Sequence, residues 1–172
     1  MELAQLYCQE SLHLLEGAMK KINHCLAQLS DEQIWWRPAD DANSIGNLLL
    51  HLSGNLRQWA VIPISGAPDS RDRESEFARR ETINRDELLP LLSRTIADVR
   101  SRIGNLNEQQ LLETRQIQGF ETTTLGAISH TTSHFVGHTH QIILLTRLQL
   151  GEDYQYEWTP EARKSDSSDV PI

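Results

Sequence analysis

The sequence predicts an all-α protein, a four-helix bundle, on three observations. Four segments carry apolar residues at spacings of three and four, the period of a single helical face. Two of the intervals between them are long and rich in charged or turn-forming residues. No stretch of useful length alternates apolar and polar residues with the period of two of a half-buried strand, and no unit recurs at a fixed interval. Amphipathic helices joined in this way pack by default as a bundle.

The first helix is expected over residues 3–29, where Leu12, Leu15, Met19, Ile22, Leu26 and Leu29 share a face. Ser30-Asp31-Glu32 interrupts it, and Arg37-Pro38 through Asp40-Asp41 reads as a loop. Asn43-Ser44 is a good start for the second helix, which is expected to run to about Ile62 before Pro63, Gly66 and Pro68 stop it. Residues 63–83 form the first long connection. The third helix covers roughly 86–104, with Leu88, Leu91, Leu92, Ile96, Val99 and Ile103 inward and Pro90 near its start. Residues 105–122 are the second connection. Thr123 or Thr124 caps the fourth helix, which ends at about Leu150 before Gly151. Residues 1–150 are therefore read as one domain and 151–172 as a tail. Tyr154, Tyr156 and Trp158 are expected to dock, and the polar end from Arg163 to be mobile.

The totals bound the function. A chain of 172 residues suits a single core. With 16 basic against 24 acidic residues the net charge is −8, which argues against a nucleic-acid surface, since that affinity rests on Lys and Arg neutralising phosphates. No apolar run approaches the roughly 20 residues of a membrane span. Cys8 and Cys25 form no close-spaced pair and read as free thiols in a reducing compartment. No apolar leader follows the N-terminus, so a cytoplasmic protein is expected.

The chemistry is concentrated in histidines. His130, His134 and His138 recur every four residues, which places them on one helical face with Gln141. On the second helix Asn47, His51 and Asn55 form a polar stripe bordered by Leu48, Leu52, Leu56 and Trp59. Neutral imidazole is the commonest side-chain metal ligand, so the pattern suggests a divalent cation held between helices. From spacing alone a hydrogen-bonded polar seam explains the row equally well. His13, His24 and His140 lie off these faces and read as ordinary surface or satisfied side chains. A di-iron bundle would need paired Glu-x-x-His motifs, and Glu10-Ser11-Leu12-His13 is the sole match. No carboxylate has obvious ligand spacing beside the histidines. Three neutral imidazoles would leave an open position at the cation, a catalytic rather than structural arrangement. Zinc suits it best, with nickel, iron or manganese as alternatives.

At these residues the chain resembles a known family. Trp36-Arg37-Pro38 with Asn43-Ser44-Ile45-Gly46-Asn47 through His51 and on to Trp59 is similar to the second helix of DinB-like (YfiT-like) metal-dependent proteins. His134-Phe135-Val136-Gly137-His138-Thr139-His140-Gln141-Ile142 resembles their closing motif, and Arg71-Asp72-Arg73 through Glu76-Phe77 resembles a connection found in one branch. Thr139-His140 departs from the Arg-Gly that many relatives carry before the glutamine. The resemblance implies an up-down-down-up bundle, often a homodimer, with the metal on His51, His134 and His138. His130, Asn47, Asn55 and Gln141 would then line the pocket or support the ligands. It also implies a small-molecule substrate, because some members of the superfamily are transferases or isomerases that use low-molecular-weight thiols such as bacillithiol, mycothiol or glutathione. A metal-activated thiolate attacking an electrophile is the first expectation. Metal-dependent hydrolysis is the second, and a dimeric ligand-binding module with a structural metal is the third.

Overall fold

The computed structural model describes residues 2–157, so the readings of Trp158 and of the polar end from Arg163 lie outside the described residues. Helix α1 (Leu3–Leu26) buries Cys8, Leu12, Leu15, Ile22 and Leu26 along the predicted face, with Met19 packed at its edge. Ser30 starts a second helix where an interruption was expected. In α2 (Asp31–Trp35) the Ser30 hydroxyl accepts the Gln33 N–H at 3.2 Å, and the Gln33 side chain accepts the Ser30 N–H at 2.8 Å. That reciprocal cap is written in Ser-x-x-Gln, but five helical residues are too few for an apolar period to register.

Ser44 and Asn47 start α3 (Ile45–Leu56) by the same device. The helical run passes Pro63 but ends at Gly66, one of the three stops expected. It widens into a π turn, Arg57–Val61, and recovers as α4 (Ile62–Ser65), where Pro63 sits in a first turn that needs no N–H from it. Gly66 ends it in the left-handed region at φ 71°. The first connection holds a capped turn of helix, α5 (Arg73–Ala78), with the Ser75 N–H bonded to Asp72 at 3.1 Å. Helix α6 (Arg85–Ile103) carries Pro90 inside it, on the exposed side, and buries Leu88, Leu92, Thr95, Ile96, Val99 and Ile103.

The second connection contains α7 (Glu108–Leu112) and, against the expectation of no strands, an antiparallel hairpin of β1 (Thr114–Ile117) and β2 (Phe120–Thr123). Four-residue strands are too short to show alternation. Their turn, Gln118-Gly119, reaches positive φ at both positions (53° and 82°), as a tight hairpin turn requires, without the Asn-Gly pair that would have signalled it. Thr123 then caps α8 (Thr124–Leu150) by accepting the Gly126 N–H at 3.0 Å.

Side-chain bonds between helices fix the arrangement. Tyr7 donates to Leu125 O at 2.8 Å near the starts of α1 and α8, and Gln155, beyond α8, bonds Gln28, beyond α1, so these two helices run in the same direction. Arg85 at the start of α6 donates to Leu26 O at the end of α1, so α6 runs the other way. Thr131 donates to Asn55 at 2.7 Å while His51 meets His134, so α3 is antiparallel to α8. The four long helices therefore form an up-down-down-up bundle. Phe135, Leu15, Leu26, Leu48, Leu52 and Leu92 fill its centre. Tyr154 docks on the core, and the Arg147 guanidinium lies over both Tyr154 and Tyr156. Among the described residues no helix is long and apolar enough to cross a membrane.

Candidate metal centre

Two helices bring three imidazoles together. α3 carries His51, 4% exposed, and the antiparallel α8 presents His134 and His138 one turn apart opposite it. The Nε2 atoms of His51 and His134 are 2.8 Å apart, and one ring nitrogen from each of the three histidines lies within 4.8 Å of the others. Nitrogens bound tetrahedrally at about 2.0–2.1 Å would be roughly 3.3 Å apart, so a dication fits with only small ring movements.

The opposite edge of His51 is held by residues that sequence spacing did not reveal. Its Nδ1 lies 3.0 Å from Glu76 Oε2. Arg71 clamps the same carboxylate through Nε and Nη2, each at 2.7 Å, and both side chains are nearly buried (5% and 10% exposed). Arg71 Nη2 also approaches His51 Nδ1 at 3.0 Å, but a nitrogen that donates its proton to Glu76 has no lone pair for a guanidinium, so the carboxylate is the partner. Burial pushes the Glu76 carboxyl up, but hydrogen bonds from Arg71 and His51, with their charge, outweigh it and hold the group below the usual carboxylate value. Arg71 Nη1 donates to Gln58 Oε1 at 2.7 Å, and Gln58 donates to Asp69 at 2.6 Å. The hairpin tip joins this network through Gln118, which donates to Gln58. Gly54 leaves the necessary gap: a Cβ there would collide with Glu76 Oε1 and sit 2.7 Å from Arg71 Nε. A cavity of about 260 Å³ adjoins Gly54, Arg57, Asp69, Arg71, Ser75 and Glu76, but none of the three histidines lines it.

The remaining sequence candidates occupy different places. Gln141 Oε1 accepts from His138 Nδ1 at 2.9 Å, leaving Nε2 of that ring free. His130 is exposed and stands outside the trio; its ring lies 4.0 Å from that of Trp59 and stacks with His134 at 5.8 Å. Asn55 accepts from Thr131. Asn47 caps α3 and bonds Glu76 O and Arg79 O at 2.8 and 3.2 Å, so it holds the backbone of the first connection rather than a ring nitrogen. Phe77, a further residue not anticipated, packs against His51 with ring centres 4.6 Å apart. The segment from Arg71 to Phe77 was visible in the sequence only as part of the resemblance.

Electrostatics favour neutral, ligand-ready rings. Burial, reinforced by the neighbouring His138, His51, His130 and Arg71, lowers the His134 pKa to about 4. Burial also lowers that of His138, partly offset by its bond to Gln141. Both rings therefore keep a lone pair at neutral pH, as metal ligation requires.

Bundle and site together define a DinB-like helical fold with a three-histidine group able to hold a metal ion. The chain belongs to the family described as protein of unknown function (DUF1572), whose model matches residues 2–163. Among solved structures it is similar to a conserved protein from Enterococcus faecalis, at 19% identity and a TM-score of 0.68, covering 88% of this chain and 99% of that one. It is also similar to a DinB-like protein (YjoA) from Bacillus subtilis, at 16% identity and a TM-score of 0.64 with the same coverages. No curated protein matches the chain.

Proposed function

We propose that this protein is a metal-dependent enzyme, a thiol-dependent S-transferase or isomerase, in which His51, His134 and His138 hold one divalent cation. The observation that carries the reading is the convergence of three imidazole nitrogens from two helices. Zinc is the first choice of ion, with nickel, iron and manganese as alternatives. When bound, such a cation supplies Lewis-acid chemistry, holding a thiol cosubstrate as its reactive thiolate.

The chain's own residues prepare that chemistry. The low proton affinities of His134 and His138 keep their lone pairs available. Gln141 sets the orientation of the His138 ring, and Phe77 shields one face of His51 from water. Buried Trp59 backs the exposed His130 ring, which stacks beside His134. A closed structural site would have a fourth protein ligand, and His130, one helical turn before His134, is the histidine placed to supply it. Its place outside the trio favours an open, catalytic position over the binding-module alternative. The reading includes a cytoplasmic homodimer; free, buried Cys8 and Cys25 suit a reducing compartment.

Elemental mass spectrometry of the untagged protein should give about one metal per chain, lost in His51→Ala and His134→Ala. The loaded protein should then conjugate a low-molecular-weight thiol to an electrophile in a panel assay. Turnover of esters, amides or phosphates without thiol would move the assignment to a metal-dependent hydrolase. A protein that takes up no zinc or nickel would end the metal reading.

A further inference from the structure

We infer that Glu76, locked by Arg71, is the positioning residue that makes His51 a ligand: it fixes the ring as its Nδ1–H tautomer and aims the Nε2 lone pair at His134 and His138. The inference rests on the metal reading above and assigns a role that no ligand spacing could suggest.

The geometry leaves the His51 ring little choice. A neutral imidazole carries one proton, and whichever nitrogen bears it cannot bind a cation. On the Nδ1 side stands a carboxylate oxygen at 3.0 Å, which only accepts. The proton therefore resides on Nδ1. On the Nε2 side stands another imidazole nitrogen at 2.8 Å, which can serve as donor or acceptor. A carboxylate behind a ligating histidine fixes its orientation and raises its basicity toward the metal.

Glu76 is itself held fast. Two short bonds from Arg71 fix both of its oxygens, Gln58 fixes Arg71, and Asn47 holds the Glu76 carbonyl. The gap at Gly54 lets the pair lie directly on α3, three residues beyond His51.

The test must separate ligand orientation from loss of a buried ion pair. In Glu76→Gln the Arg71 charge is left unpaired, which by itself destabilises the fold. The double variant Arg71→Met with Glu76→Leu removes both charges and keeps the volume apolar, a replacement that buried pairs often tolerate. Zinc affinity, read by competition with a chromogenic chelator, should fall about 10–100-fold in the folded double variant. Nitrogen NMR of the metal-free protein should show His51 protonated on Nδ1 in the wild type and lose that preference in the double variant. Wild-type affinity in the folded double variant, or a wild-type His51 protonated on Nε2, would overturn the inference. If the wild type binds no zinc, the metal reading fails by itself, while the NMR experiment still decides what Glu76 does to the ring.

Discussion

At the scale of single residues, the site combines groups whose protonation is set by burial and by each other. His134 titrates near 4 in the folded protein against an ordinary 6.5, chiefly because burial penalises its charged form. Between those two values the unfolded chain takes up a proton that the native state refuses. Stability must therefore fall as the pH is lowered from 6.5 toward 4, and this group contributes no pH dependence above 6.5. His138 acts in the same direction. Glu76, whose carboxyl is held below its ordinary 4.5, adds a further loss in acid as its bonds to Arg71 and His51 are given up. Urea denaturation of metal-free protein across pH 4–7 should show the falling midpoint, and His134→Ala should flatten it. An unchanged slope in that variant would mean that the acid sensitivity arises elsewhere.

At the scale of elements, α3 and the connection after it form one mechanical unit. Asn47 is fully buried and joins them: its Oδ1 accepts from the Ser44 N–H, the Ser44 hydroxyl and Arg37, and its Nδ2 donates to Glu76 O and Arg79 O. Asn47→Ala strands several buried polar groups at once and should cost about 2–4 kcal/mol, read by chemical denaturation, with zinc affinity weakened as the Glu76 backbone is released. A loss below about 0.5 kcal/mol would show that water replaces these bonds freely.

What the sequence disclosed follows the same division. The long helices were legible because Leu12, Leu15, Ile22 and Leu26, or Leu88, Leu92, Ile96 and Val99, repeat often enough to define a face. The histidine row was legible for the same reason. The short elements α2, α5 and α7 and the hairpin were not, because five or six residues give a period no room and their signals are caps and turns. Glu76 was hidden for a related cause. It reaches His51 from a connection that no helical wheel includes, so only the folded chain brings the two together.

At the scale of the whole molecule, the outer face of α8 bears on assembly. Val136, Ile143 and Leu150 of α8 pack against the chain's own core, and Leu125 is 37% exposed. The free apolar surface lies elsewhere on the helix, at Leu144 and Leu148, which are 57% and 60% exposed and one turn apart. At 3.6 residues per turn they share a face with Gln141 and, further back, with His130, so they continue the surface that flanks the histidines. An isologous contact there would cover four leucines and narrow the approach to both sites, as the proposed thiol chemistry would favour. Light scattering should therefore give twice the 19.6 kDa chain mass. Leu144→Arg with Leu148→Arg should shift it to the monomer while leaving about one metal per chain, since neither leucine belongs to the ligand group. A wild-type protein that stays monomeric at high micromolar concentration would leave those leucines as ordinary exposed side chains and remove the second copy from any account of the site.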